Sequence, residues 1–156
     1  MSNQSIILRI LVLLGLSLNG ACSSQSLPLR SVYSANVCNT TTAETRTLQT
    51  QQEFERVVAG KLKHLSEQAK PLPQLDFSRQ SVILVAVGQQ SSTGYAVVLK
   101  GERAVLKNHQ LILPVTITRP AAGSLQAQVI SSPCRVLSLP KVEYDQIVLQ
   151  SSALNP

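Results

Sequence analysis

The sequence predicts a mainly β fold, an antiparallel sandwich or barrel-like sheet of about six or seven strands with one N-terminal amphipathic helix. Three observations carry this. Only one segment, beginning near Thr50, has apolar residues at helical spacing. Everything after residue 80 breaks into short apolar or alternating runs separated by Gly, Pro, Asn and Ser. With residues 1–21 set aside, 135 residues remain, which suits one domain with a single core.

In chain order, residues 37–47 are rich in threonine and read as a first strand or an irregular edge. Thr50 and Glu53 then stand at capping-box spacing, where each side chain satisfies a free amide at a helix start. Phe54, Val57, Val58, Leu62 and Leu65 follow on one face, and Pro71 and Pro73 prevent continuation. The opposite face, with Glu55, Lys61, Lys63 and Glu67, reads as solvated.

Residues 81–87 (SVILVAV) are apolar in succession, as a central strand buried on both faces requires. A polar loop over 88–94 leads to a strand over 95–99. Residues 103–106 pair with 111–118 through a turn at Lys107, Asn108 and His109. In that second run Leu111, Leu113, Val115 and Ile117 share a face, while Pro114 marks an edge or a bulge because it has no amide donor. Residues 119–124 form a loop, and strands over 126–130, 134–139 and 144–149 complete the set. One globular domain over 37–150 follows, with a short tail over 151–156.

The N-terminus has a different character. Arg9 is the only charged side chain before an apolar run over 10–18, and Asn19, Gly20 and Ala21 lead into Cys22. These are the parts of a secretory signal over 1–21. A small-residue pair directly before a cysteine resembles the lipobox of bacterial lipoproteins, although Asn19 stands where such boxes usually carry Leu. The expectation is lipid attachment at Cys22, with ordinary cleavage nearby as the rival. The apolar run is far short of the roughly 20 residues of a membrane span. Residues 22–36 read as a flexible tether, reaching about 20 Å on average.

Cysteine arithmetic agrees with this reading. Of Cys22, Cys38 and Cys134, using the first as a lipid anchor leaves a pair. In an exported protein a pair reads as a disulfide, the alternative being two buried thiols that never meet.

Chemistry-bearing patterns are sparse. His64 lies on the polar side of the helix and His109 in a hairpin turn. No serine sits in a GxSxG elbow, and no His, Cys or carboxylate cluster has ligand spacing. Asp76 reads as a turn residue ahead of a strand rather than an acid catalyst. Nothing points to a cofactor or a metal, and a non-enzyme is expected. Beyond residue 21 there are thirteen basic and eight acidic residues, a net charge of +5, spread along the chain without a basic stripe. With no stacking aromatics either, nucleic acid is not an expected partner.

Five motifs in order carry a family resemblance over about residues 54–141. They are Pro73-Gln74-Leu75-Asp76-Phe77-Ser78 before the apolar strand, Gly88 with Thr93-Gly94-Tyr95, Arg119-Pro120, a Ser131-Ser132-Pro133-Cys134 strand junction, and Leu139-Pro140-Lys141. This pattern resembles the PrcB family of protease-complex subunits. One departure is that the family commonly has Thr-Gly-Gly-Tyr where this chain has Ser92-Thr93-Gly94-Tyr95. The resemblance implies a noncatalytic lipoprotein that binds and stabilises a secreted or surface protease. The expected binding loop is Ser92, Thr93, Gly94 and Tyr95 with Arg119 and Pro120. The competing reading of Tyr95 is that its ring packs inward at the start of a strand.

The same two loops also resemble those of chagasin-like inhibitors of cysteine peptidases. Here Gln90-Ser91 stands in place of the expected Asn-Pro, and Ala121 in place of an aromatic anchor. A purely structural envelope lipoprotein is the third reading. With lipid on Cys22 the expected location is the bacterial cell envelope, at the outer membrane facing the periplasm or the surface.

Overall fold

A computed structural model describes residues 24–58 and 72–150. The fold is mainly β and sandwich-like, with antiparallel sheets and, among the described residues, one helix. The strands are β1 (Gln25–Pro28), β2 (Arg30–Ala35), β3 (Glu44–Leu48), β4 (Gln80–Ala86), β5 (Ala96–Leu99), β6 (Arg103–Lys107), β7 (Gln110–Leu113), β8 (Val115–Thr118), β9 (Cys134–Pro140) and β10 (Gln146–Leu149); the helix is α1 (Gln51–Val58).

The centre is the antiparallel sheet β2-β9-β4-β3. Strands β4 and β9 pair along seven residues, from Gln80 opposite Pro140 to Ala86 opposite Cys134. Alternate β4 side chains enter two different cores. Val82, Leu84 and Ala86 pack with Val136 against Phe54, Val57 and Val58 of α1. Ile83 and Val85 pack with Leu137 and Leu139 against Leu27, Ala104, Leu111 and Leu113 of the second sheet. The apolar run expected to be buried on both faces is buried on both faces, because helix and sheet cover it from opposite sides. Each such side chain contributes about 1.5–3 kcal/mol by leaving water.

The helix start follows the capping pattern. Thr50 Oγ1 accepts from Glu53 N at 3.1 Å, and Glu53 Oε2 accepts from Gln49 N at 2.8 Å. Arg46 of β3 pairs with both Glu44 and Glu53, fixing the helix to its neighbouring strand. Leu62, His64, Leu65 and Pro71 lie outside the described residues, as do Cys22 and the 151–156 tail.

The second sheet has the order β1-β6-β7-β10, and β5 pairs with β8 alone. The β6–β7 hairpin turns at Asn108 and His109, at φ +50° and +59°. Positive φ at both central residues is what a two-residue hairpin turn of this hand demands. The run expected as one strand over 111–118 is two. It changes partners at Pro114, from β6 and β10 to β5. A residue without an amide is tolerated where one ladder ends and the next begins. The shared face survives, since Leu111, Leu113 and Val115 are fully buried and Ile117 packs against them.

Four further expectations need correction. Residues 25–35 are not a flexible tether but strands β1 and β2, with Leu27 and Leu29 buried. Pro28 sits at the last residue of an edge strand, where its missing amide costs no ladder bond. Residues 126–130 are not a strand and take part in no ladder. Of residues 37–47 only the part from Glu44 is a strand. The final strand starts at Gln146 and runs parallel to β7, not antiparallel. Among the described residues the strands thus number ten rather than six or seven, chiefly through β1, β2 and the division at Pro114.

Candidate protein-binding surface

Two loops meet at one end of the β5–β8 pair. Ala96 stands opposite Thr118 in that ladder, so Ser92 to Tyr95 on one side and Arg119 to Pro120 on the other leave it together. The first loop opens at Gly88, with φ +77°, where a Cβ would lie 2.5 Å from the Thr42 carbonyl carbon. Gln90 and Ser131 exchange two backbone hydrogen bonds, at 2.7 and 3.0 Å. Ser131 Oγ donates to Ser92 O at 2.8 Å, and Thr93 N donates to Ala127 O at 3.0 Å.

Gly94 is the hinge of this junction. Its φ is +93°, and a Cβ there would lie 2.5 Å from Gln126 Oε1 and 2.8 Å from Pro120 Cγ. Both the backbone angle and the close approach therefore require glycine. The expected binding residues Thr93, Gly94 and Pro120 are brought into one junction. Arg119 is exposed at its edge and makes no ion pair among the described residues. Tyr95 instead packs against the core beside Val97 and Val115, so its ring is partly buried rather than presented. Beside it lies a recess of about 270 Å³, walled by Asn36, Thr93, Ala96 and Pro133.

The base of the long loop is tied firmly. Cys38 and Cys134 form a disulfide with a Cα–Cα distance of 6.0 Å, joining positions 96 apart in sequence. Next to it, Cys38 N donates to Ser132 O at 2.9 Å. Arg135 Nε donates to Val97 O at 2.9 Å, which holds β5 to β9. Beyond this base the chain over 121–130 is exposed except for half-buried Gln126. Leu125 is fully exposed, Ile130 is 68% exposed and Val129 is 54% exposed.

These three apolar residues are what the sequence did not disclose. Leu125, Ala127 and Val129 alternate with Gln126 and Gln128, a pattern identical to that of a half-buried strand. Nothing within the segment tells a paired strand from an unpaired one.

The shifted titrations lie elsewhere. Asp76 is held below the usual carboxylate range by the Ser78 hydroxyl and by the amides of Ser78 and Arg79, which fits its reading as a turn residue. Among the described residues no group of three or more His, Cys, Asp or Glu side chains could hold a metal ion, and no helix is long and apolar enough to cross a membrane.

No curated protein and no solved structure matches the chain. Residues 81–140 match the family model described as PrcB C-terminal. That match runs from β4 through β9 and contains both loops of the junction, whereas β1 to β3, α1 and β10 lie outside it. Over residues 81–140 the chain is therefore similar to the PrcB C-terminal family.

Proposed function

We propose that this protein is a noncatalytic lipoprotein subunit of the bacterial envelope that binds and stabilises a secreted or surface protease. The observation that carries the reading is the Gly94 junction. Within the family-matched region it brings two loops together at the start of the segment that exposes Leu125, Val129 and Ile130, and the disulfide ties the base of that segment. Rigid support beneath exposed apolar side chains is what a protein-binding surface needs, because little ordering cost remains at docking.

A lipid on Cys22 would act on this domain at short range. Only Ser23 and Ser24 separate Cys22 from β1, so a fully extended link spans about 10 Å. The first residue of β1 lies opposite Leu106, next to the Lys107–Gln110 hairpin end. Chain direction along β7 and β8 carries the Gly94 junction away from that end. The anchor thus supports an orientation with the binding loops turned from the bilayer, and a raised effective concentration for a partner at the surface.

The test is capture of the tagged full-length protein from its native membrane, with the lifetime of any recovered peptidase measured in a strain lacking this protein. Recovery of a secreted peptidase that is shorter-lived in the deletion strain is expected. Repeated recovery of none removes the reading. In a Cys22→Ser variant the protein should leave the membrane fraction; continued fractionation with membranes contradicts the anchor.

The contact between Gly94 and Pro120 also favours a second reading, inhibition of a cysteine peptidase by the same loop pair. Ala121 is exposed where an aromatic anchor would be expected, which weakens it. Submicromolar inhibition of papain that is lost in Gly94→Pro would establish it; no inhibition at large excess would reject it.

A further inference from the structure

We propose that residues 125–130, which join no ladder in the protein alone, take up an extended, carboxylate-bearing peptide segment of a partner protein as an added β-strand. The inference rests on the protein-binding reading above and gives it a recognition mode.

Four observations converge on this segment. The amides of Leu125, Gln126, Ala127, Gln128, Val129 and Ile130 donate to no acceptor among the described residues. On one side the segment is tied by Thr93 N to Ala127 O and, directly after it, by the Gln90–Ser131 bridge. Gln126 turns inward to Thr93, its Oε1 lying 3.3 Å from Thr93 Oγ1, while Leu125 and Val129 stand exposed. With Ala127 and Ser131 turned to the Thr93–Gln90 side, the amides of Gln126, Gln128 and Ile130 face the open side, and a row of such amides beside exposed apolar side chains is a template for strand addition.

Charge selects the occupant. No acidic residue lies in the stretch over 119–135 that contains the segment, whereas that stretch holds Arg119 and Arg135. Arg119 is exposed beside the segment without an ion pair among the described residues. An incoming strand with carboxylates flanking apolar positions meets this field favourably. A second copy of the chain is the poorer occupant, since symmetric pairing through the same edge would bring two Arg119 guanidiniums together.

The experiment uses the full-length protein in detergent and a capped ten-residue synthetic peptide of alternating valine and glutamate. Amide hydrogen exchange is measured across the protein, with affinity from fluorescence of a labelled peptide. Binding should slow exchange at residues 125–130 and leave β2 and β3 unchanged. A lysine-for-glutamate peptide, an N-methylated peptide lacking donors on one edge, and an Arg119→Glu protein should each weaken binding by about tenfold or more. Gln128→Pro should abolish it by removing a donor on the open side and the local register, and Leu125→Ser should weaken it, which keeps the test open if the proline variant misfolds. Absent protection, protection at another edge, equal binding of the lysine peptide, or a dimer that the peptide does not dissociate would each overturn the proposal. Peptide uptake without a peptidase partner would discard the protease role and keep the edge. A peptidase complex in which 125–130 still exchange freely would do the reverse.

Discussion

Strand β9 and the loop that precedes it are adjacent in sequence and opposite in physical state. From Cys134 onward every residue of β9 has a neighbour in β4, and Val136 and Leu137 are fully buried. Nine residues earlier Leu125 is fully exposed in a segment without a ladder. The boundary between the two is the disulfide and the Ser132 bonds to Cys38. The lesson is that buried, laddered residues and exposed, unladdered ones stand side by side in one short stretch, with the clasp marking the boundary between them.

The comparison breaks most severely at that clasp. Replacing Cys38 and Cys134 together by serine should lower unfolding stability by about 4–5 kcal/mol, because the bond closes a loop of nearly a hundred residues. Urea unfolding of the oxidised and substituted proteins measures this. A loss under about 1 kcal/mol would mean that the sheet pairing alone holds the loop base, against the range typical of native bridges.

Gly94→Ala tests the junction next. Positive φ and the approach to Pro120 and Gln126 together predict a loss of about 1–3 kcal/mol. It should also reduce partner binding by more than stability explains, since both loops must shift. An unchanged melting temperature would show that the two loops are not coupled there.

A smaller effect belongs to the helix start, far from the loops. Glu53 is held below the ordinary glutamate value, first by the Gln49 amide and then by Arg46. With the folded value depressed, this stabilisation is complete above the unfolded value of about 4.3 and is lost as pH falls through the folded value. Glu53→Gln should cost about 1 kcal/mol near neutral pH, the size of a lost cap. The gap from the native protein should close below about pH 4. A gap constant with pH would deny the charge its role.

The smallest change in stability is expected at the opposite extreme. Leu125→Ser should alter unfolding by no more than about 0.5 kcal/mol, as for surface positions without contacts. Its effect should be on binding alone. A destabilisation of about 2 kcal/mol would place Leu125 in a packed environment and dissolve the contrast with β9.

How far the sequence alone led depended on whether a feature is local. The β4 run, the Thr50–Glu53 start of α1 and the hairpin turn at Asn108 and His109 are encoded within a few residues, and each is where it was expected. The pairing of Cys38 with Cys134 followed from counting cysteines rather than from geometry, and the structure supplies the proximity. Strand β1 escaped notice because Leu27 and Leu29 flank a proline in polar surroundings, and their burial depends on Leu111 and Leu139, far along the chain. The parallel union of β10 with β7 is likewise a long-range choice that no local pattern encodes. At the site, Gly94 and Pro120 were singled out as loop residues, but their contact with Gln126 exists only in three dimensions. Val129 and Ile130 fall in the strand expected over 126–130, because alternation reports an extended backbone and says nothing about a partner.

Amide hydrogen exchange on the full-length protein, free and in a complex purified from its native membrane, tests the central separation most directly. Residues 82–86 should exchange slowly in both states, and residues 125–130 should exchange rapidly when free and slowly only in the complex. Slow exchange at 125–130 in the free protein, or rapid exchange there in the complex, would contradict the account.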